Sequence, residues 1–341
     1  MRITYRMMTN KYTDNLNKQA TELDRLNTQV STGRAFSRTS EDTSTAIRAY
    51  QIRKNISKVE NYQTNIEFSQ DFLTNTESTL SSIEGSLSDA MEKILSGVNG
   101  TNAESERAII AEEIRTIQEQ ILESLNTSVS DTYIYGGGNT TTKPFTVDST
   151  TGKLFYNGVD LDTLLDDGSD TTYNELAADS LYVDIGLGVE FDASGDVERT
   201  TVFNYSVTGV SFTGVGTTTL SDGTTVSNNI YNLLGEIADE FDKDDATYSQ
   251  DRVENLYGLF TDSKQSAYQK TTEIGAKTNY LEFMTERYDT QLLNLQERQT
   301  NIEGIDTAEA YITYSTQQVA YQAALQMGTE IIQQSVFDYM S

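Results

Sequence analysis

The sequence predicts a mainly α protein: a long coiled-coil helical rod built from both the N- and C-terminal arms, with a central, mostly β insert. Three observations predict it. Ile52, Val59, Ile66, Leu73, Leu80, Leu87 and Ile94 stand seven residues apart, and Leu281, Tyr288, Leu295 and Ile302 repeat that spacing late in the chain. Between these arms, from Tyr133 to about Asn228, the composition turns to Gly, Thr, Ser and Asp. Only one proline, Pro144, occurs in 341 residues, so neither arm is interrupted. A strict seven-residue apolar repeat keeps one narrow stripe turned toward a partner helix by imposing a left-handed supercoil. At 1.5 Å per residue, fifty residues of such helix reach roughly 75 Å.

Taken in order, residues 3 to 30 carry a sparse stripe: Ile3, Met7, Tyr12, Leu16, Leu23, Leu26 and Val30. Asn, Thr and Gln fill the gaps, so this helix buries too little to stand alone. Gly33 ends it, and STGRAFSRTSEDTSTA (31–46) reads as a polar turn with Ser40 or Thr43 as cap for the long helix that follows near Thr45. In that helix Ile56, Ile83 and Ala90 widen the stripe, whereas Gln63, Gln70 and Glu77 interrupt it. GVNGTN (97–102) reads as a tight connection. Ile110, Ile114, Ile117, Ile121 and Leu125 then mark a second helix folding back antiparallel on the first.

From Tyr133 the period changes. LYVDIGLGVEF (181–191) and VFNYSVTGVSF (202–212) alternate as strands do, with ASGD-type turns between. Helix returns at Asn228, and after DKDDATYSQ another long helix carries the late heptads from Ile274 onward, with Met284 and Leu292 beside them. At Gly304 the phase slips by three residues to Ile305, Ile312 and Val319, which marks a bend and a domain boundary. The organisation expected is therefore a terminal helical region (1–44 with 305–341), a rod (45–132 with 228–304) and an insert (133–227).

Charge separates the same regions. The chain has 24 basic and 52 acidic residues, a net of −28, and residues 131 to 250 hold 4 basic and 21 acidic ones. Residues 1 to 40 instead hold 7 basic and 3 acidic residues, and no Lys or Arg occurs from Ile302 onward. The two weak terminal helices are thus electrostatically complementary, and pair with one another or with those of neighbouring copies. Leu16, Leu23, Val30, Ile312, Val319, Ala323 and Ile331 are the expected assembly contacts of that pair. The intramolecular rod rests on Ile52 to Ile94 against Leu281 to Ile302.

Composition also limits chemistry. With no His and no Cys there is no imidazole base, thiolate nucleophile, disulfide or usual zinc ligand set. The acidic surface repels nucleic acid and anionic membrane, and no twenty-residue apolar run or signal-peptide core occurs. Gly136 to Gly138 lack the lysine of a phosphate loop. DLDTLLDDGSD (160–170) has carboxylates, but counting back from Gly168 as the sixth position puts Thr163 where a calcium loop needs an acid. We expect no enzyme activity, no cofactor and no metal. Tyr311, Tyr314 and Tyr321 flank an alanine-rich face and read as contact area in an assembled tube.

Four segments carry a resemblance: MRITYRMM at the start, STGRAFSRTSEDTSTA (31–46), YIYGGGNTTTKPF (133–145) and IDTAEAYITYSTQQVAYQAALQMGTEIIQQSVFDYM (305–340). Together they resemble the family of third hook-associated proteins, which form the hook–filament junction of bacterial flagella and are relatives of flagellin. The match covers both arms, and TSEDT (39–43) departs from it in lacking the prolines usual there. The resemblance implies a structural adaptor whose terminal helices stack around a central channel. Its partners would be other copies in a ring, a neighbouring hook-associated protein and flagellin, with a cytoplasmic export chaperone on the C-terminal helices. It also implies an extracellular, flagellar location reached by type III export without a cleaved signal peptide. A flagellin-type filament subunit would share the arms; the MRITYRMM start, the YIYGGG and KPF segment and the SVFDYM ending favour the junction family.

Overall fold

The computed structural model describes residues 5–99, 102–195, 197–220 and 222–337, with side chains from residue 7 to residue 329 among them. They form eight α-helices and nine short strands: α1 (Tyr5–Thr32), α2 (Thr43–Asn99), α3 (Glu104–Leu125), β1 (Ser128–Val129), β2 (Thr132–Tyr133), β3 (Phe145–Val147), β4 (Leu154–Tyr156), β5 (Val159–Asp160), α4 (Thr171–Ala178), β6 (Tyr182–Val183), β7 (Phe203–Asn204), α5 (Val210–Thr213), β8 (Thr217–Thr219), β9 (Thr225–Ser227), α6 (Ile230–Phe241), α7 (Gln250–Glu303) and α8 (Thr307–Phe337). The chain divides into two compact units. Residues 1–60 with 288–341 form a terminal unit, and residues 61–287 a central unit. α2 and α7 contribute residues to both.

In the central unit, Ile66, Leu73, Leu80, Leu87 and Ile94 of α2 are wholly enclosed. The second row of that seam is Ser69, Thr76, Ile83 and Ala90, three residues on from each heptad position and also buried. Gln63, Gln70 and Glu77 are half-buried at its flank and interrupt nothing. The two buried hydroxyls are satisfied locally: Ser69 donates to the Asn65 carbonyl and Thr76 to that of Phe72, each at 2.8 Å. α7 runs antiparallel to α2, with Lys264 Nζ 3.1 Å from Ser88 Oγ and the Thr271 hydroxyl donating to Glu84. Its own stripe begins at Val253 and continues through Phe260, Ala267, Ile274 and Leu281 at the same interval of seven, all fully buried.

GVNGTN is not simply a turn. α2 continues to Asn99, and Gly97 lies inside it because the Phe241 ring sits on its backbone; a Cβ there would meet Phe241 Cζ at 2.5 Å. α3 then turns back, pairing Glu113 with Lys93 at 2.8 Å, and packs chiefly along α6. There Gln118 donates to the Tyr231 carbonyl at 2.8 Å, and Asn229 caps α6 by accepting from the Tyr231 and Asn232 amides.

The central insert has shorter strands than the alternation predicts. Of 181–191 and 202–212, Tyr182–Val183 and Phe203–Asn204 form the one described ladder, antiparallel to each other, and Phe191 and Thr208 make single bridges to Val197 and Gly136. Gly186 and Gly188, at φ +85° and +88°, end the first run, and Val210–Thr213 closes into a helical turn. β3, β4 and β5 form a three-stranded antiparallel sheet, and β1–β2 and β8–β9 are further hairpins. The insert is anchored rather than appended. Tyr135 donates to the Thr76 carbonyl of α2 and Asn65 of α2 to the Asp184 carbonyl, while Tyr205 packs edge-on against Phe68 and Phe72. Burial pushes the Tyr135 and Tyr156 hydroxyls well above the usual phenol range.

In the terminal unit, Val59 of α2 and Tyr288 and Leu295 of α7 are buried, whereas Ile52 and Ile302 are half-buried. The helix breaks where the heptad phase slips: α7 ends at Glu303, and Asp306 caps α8 by accepting from the Ala308 amide at 2.8 Å. α1 packs along α8.

Candidate assembly interface

Two connections meet at a joint in the terminal unit. The Ala35 amide donates to the Glu303 carbonyl at 2.7 Å, and the Ile305 amide to the Gly33 carbonyl at 3.2 Å. Arg53 closes the joint with a forked pair, its Nε and Nη2 at 2.7 and 2.6 Å from the two carboxylate oxygens of Glu303. Glu303 is nearly enclosed. The Arg53 hydrogen bonds outweigh its desolvation and hold its carboxyl below the usual carboxylate range.

From this joint α1 and α8 run together. Leu26 is buried in the pair, and Leu16, Leu23 and Val30 are half-buried on α1. On α8 the covered face is made of Tyr314, Tyr321, Ala324 and Gly328. Tyr12 fixes the register: its hydroxyl donates to the Ala324 carbonyl at 2.8 Å, and its ring lies so close to Gly328 that a Cβ there would collide with Oη. Leu26 and the tyrosine–glycine contact were not among the contacts expected. Leu26 was legible as the residue one turn beyond Leu23; the second depends on a distant pairing that no local pattern reveals.

The remaining expected contacts are elsewhere. Ile312 and Val319 are 67% and 66% exposed, Ala323 is exposed, and Met327 beside them is 58% exposed. At 100° per residue these four fall on the side of α8 opposite Tyr314, Tyr321, Ala324 and Gly328. The chain therefore does not bring Ile312, Val319 and Ala323 together with Leu16, Leu23 and Val30. The Ile331 side chain lies outside the described residues. α8 has two apolar faces, one covered by α1 and one open, which explains why its polarity is so weakly sided.

The acidic segment of the central unit is tied up locally. Asp160, Asp167 and Asp170 accept hydrogen bonds from the amides of Asp162, Ser169 and Thr172, and Asp162 pairs with Lys153 at 2.8 Å. Among the described residues no group of His, Cys, Asp and Glu has metal-binding geometry. No helix among them is long and apolar enough to cross a membrane.

The model of the bacterial flagellin N-terminal helical region matches residues 3–140. Over 339 residues the chain is 23% identical to flagellar hook-associated protein 3 of Escherichia coli (strain K12), covering 99% of each protein. The chain is thus similar along nearly its whole length to a flagellar hook-associated protein and, over its N-terminal part, to the flagellin helical region. The hook-associated protein 3 of Salmonella typhimurium is 29% identical over 153 residues, 45% of this chain and 48% of that one. Solved structures share the fold. A flagellar hook-associated protein from Vibrio parahaemolyticus aligns with a TM-score of 0.61 at 19% identity, over 77% of this chain and 100% of that one. Flagellar hook-associated protein-3 of Legionella pneumophila aligns at 0.52 and 14% identity, over 74% and 98%.

Proposed function

We propose that this protein is a structural adaptor of the bacterial flagellum, one that joins the hook, through a neighbouring hook-associated protein, to the flagellin filament. The observation that carries the reading is the open apolar face of α8. A helix whose second apolar face has no partner among the described residues gains stability by assembly, and burying Ile312, Val319 and Met327 would contribute roughly 1.5–3 kcal/mol each. Full-length similarity to hook-associated protein 3 supports the junction over the filament itself. The partners are then copies of this chain in a ring, a neighbouring hook-associated protein and flagellin. A cytoplasmic chaperone would cover the C-terminal helices before export, and export would not cleave a signal peptide. A chain with no cysteine and one proline can cross a narrow secretion channel and refold without disulfide exchange or many slow isomerisations.

The test is Val319→Asp, alone and with Leu23→Asp. Because Val319 is exposed in the monomer, the single variant should keep wild-type helicity by circular dichroism, yet fail to support filament attachment in a strain lacking its own copy. The double variant should in addition loosen α1 from α8 while the central unit stays folded. Normal filaments on Val319→Asp cells would overturn the reading.

A further inference from the structure

A second surface of the terminal unit is open, and its chemistry is complementary to the bare face of α8. Between α2 and α7 lies a groove of about 370 Å³ whose apolar lining is Ile52, Leu295 and Ile302 and whose polar lining includes Arg48 and Arg298. Both arginines are exposed, and neither has an ion-pair partner within 4.0 Å among the described residues. The rim of this groove is therefore basic above an apolar floor, although Arg48 also lies close enough to Asp42 to favour its charged form. The first turn of α8 offers the reverse arrangement. Glu309 is exposed and without a salt bridge among the described residues, and Ile312, Thr316, Val319 and Ala323 continue from it at the three-and-four spacing of one helix face.

We propose that the α8 face running from Glu309 to Ala323 docks into the α2–α7 groove of a second copy of this chain, with Glu309 drawn between Arg48 and Arg298. The inference rests on the assembly reading above and names the surface that receives the helix. The chain cannot satisfy the contact by itself, because its own α8 is held on α1 through Tyr12, Ala324 and Gly328. The two surfaces are different patches of one molecule, so the contact is head-to-tail. Repeated in one direction from copy to copy, such a contact propagates into a ring or a helix, which suits a subunit that continues a tubular assembly. An aliphatic floor with a charged rim has the anatomy of a specific interface, the apolar part supplying affinity and the rim fixing register.

The absence of native cysteine makes the contact directly testable. Gln51→Cys on the groove and Thr316→Cys on α8, both exposed positions, are introduced into one full-length chain in cells lacking the native copy. Flagella are isolated and oxidised. The expected result is a ladder of disulfide-linked dimers and higher oligomers from the double variant and none from either single variant. Junctions that contain the double variant but give no ladder, or give only an adduct with a different protein, overturn the proposal and leave the junction reading intact. Absence of the wild-type protein from junctions isolated from cells that express it overturns that reading instead. As an independent measure, Arg298→Glu should lower incorporation roughly tenfold or more while leaving circular dichroism unchanged, and adding Glu309→Arg in the same chain should restore it. Full incorporation of Arg298→Glu, or no rescue by the second change, counts against the pairing.

Discussion

Glu303 closes the joint between the two helical pairs of the terminal unit, and its energetics follow from its surroundings. A nearly enclosed carboxylate is costly unless charge-assisted hydrogen bonds replace water, and Arg53 supplies two. Arg53 itself is 47% exposed, so solvent screens the pair and its worth is that of a partly exposed fork. Arg53→Ala should cost about 1–2 kcal/mol at neutral pH, mostly because Glu303 is left buried without its cation. The pH dependence has a definite sign. The folded-state pKa of Glu303 is depressed below its ordinary 4.5, so its contribution is complete above that value and is lost as the pH falls through the lowered folded value. The gap in urea midpoint between wild type and Arg53→Ala should therefore be wide at pH 7 and narrow well below pH 4. A gap that persists undiminished in acid would mean that Arg53 acts by packing alone.

Among the elements, the long helices were the most legible part of the sequence, since a heptad stripe is a local pattern whose period survives any tertiary context. The stripe of α7 was read from Ile274, although Val253, Phe260 and Ala267 continue it upstream; the mixed sizes of those residues hid a strict spacing. The insert was harder. Its apolar residues alternate, yet Ser206, Asn204 and Asp184 bond to nearby amides and compete with ladder pairing, so strands of two or three residues result. At the candidate interface the sequence pointed to the residues of both α1 and α8, but not to the fact that α8 turns Ile312 and Val319 away from α1. That distinction depends on Tyr12 meeting Gly328 across the whole length of the chain. Gly97 offers a test at the same scale. Alanine there gains roughly 1 kcal/mol of helix propensity but drives a Cβ into the enclosed Phe241 ring, a clash worth about 1–3 kcal/mol. Gly97→Ala should be net destabilising in urea titrations, and Phe241→Leu should cost less in that background than in wild type.

At the scale of the whole molecule, charge and core are distributed unequally between the two units. Residues 1–60 and 288–341 hold 12 basic and 13 acidic residues, whereas residues 61–287 hold 12 and 39. The near-neutral terminal unit associates without long-range repulsion, and the strongly acidic central unit keeps copies apart everywhere else. The hydrophobic core has the opposite distribution. The enclosed aliphatic and aromatic side chains, among them Tyr135, Phe145, Tyr156, Phe212, Phe241 and Phe260, are concentrated in the central unit, while among the described residues the α1–α8 pair buries little beyond Leu26 and Ala324. Two units of such different burial need not melt together, and the free protein should depart from two-state unfolding. Hydrogen exchange on the monomer should find α1 and α8 opening with low free energy and the 66–94 and 253–281 stretches of α2 and α7 protected to the global limit. In isolated junctions α1 and α8 should gain protection, because assembly covers the face that the monomer leaves open and removes the opening route. Uniformly slow exchange in the free monomer would mean that α8 already has all the partners it needs, and the physical case for assembly through its open face would fall.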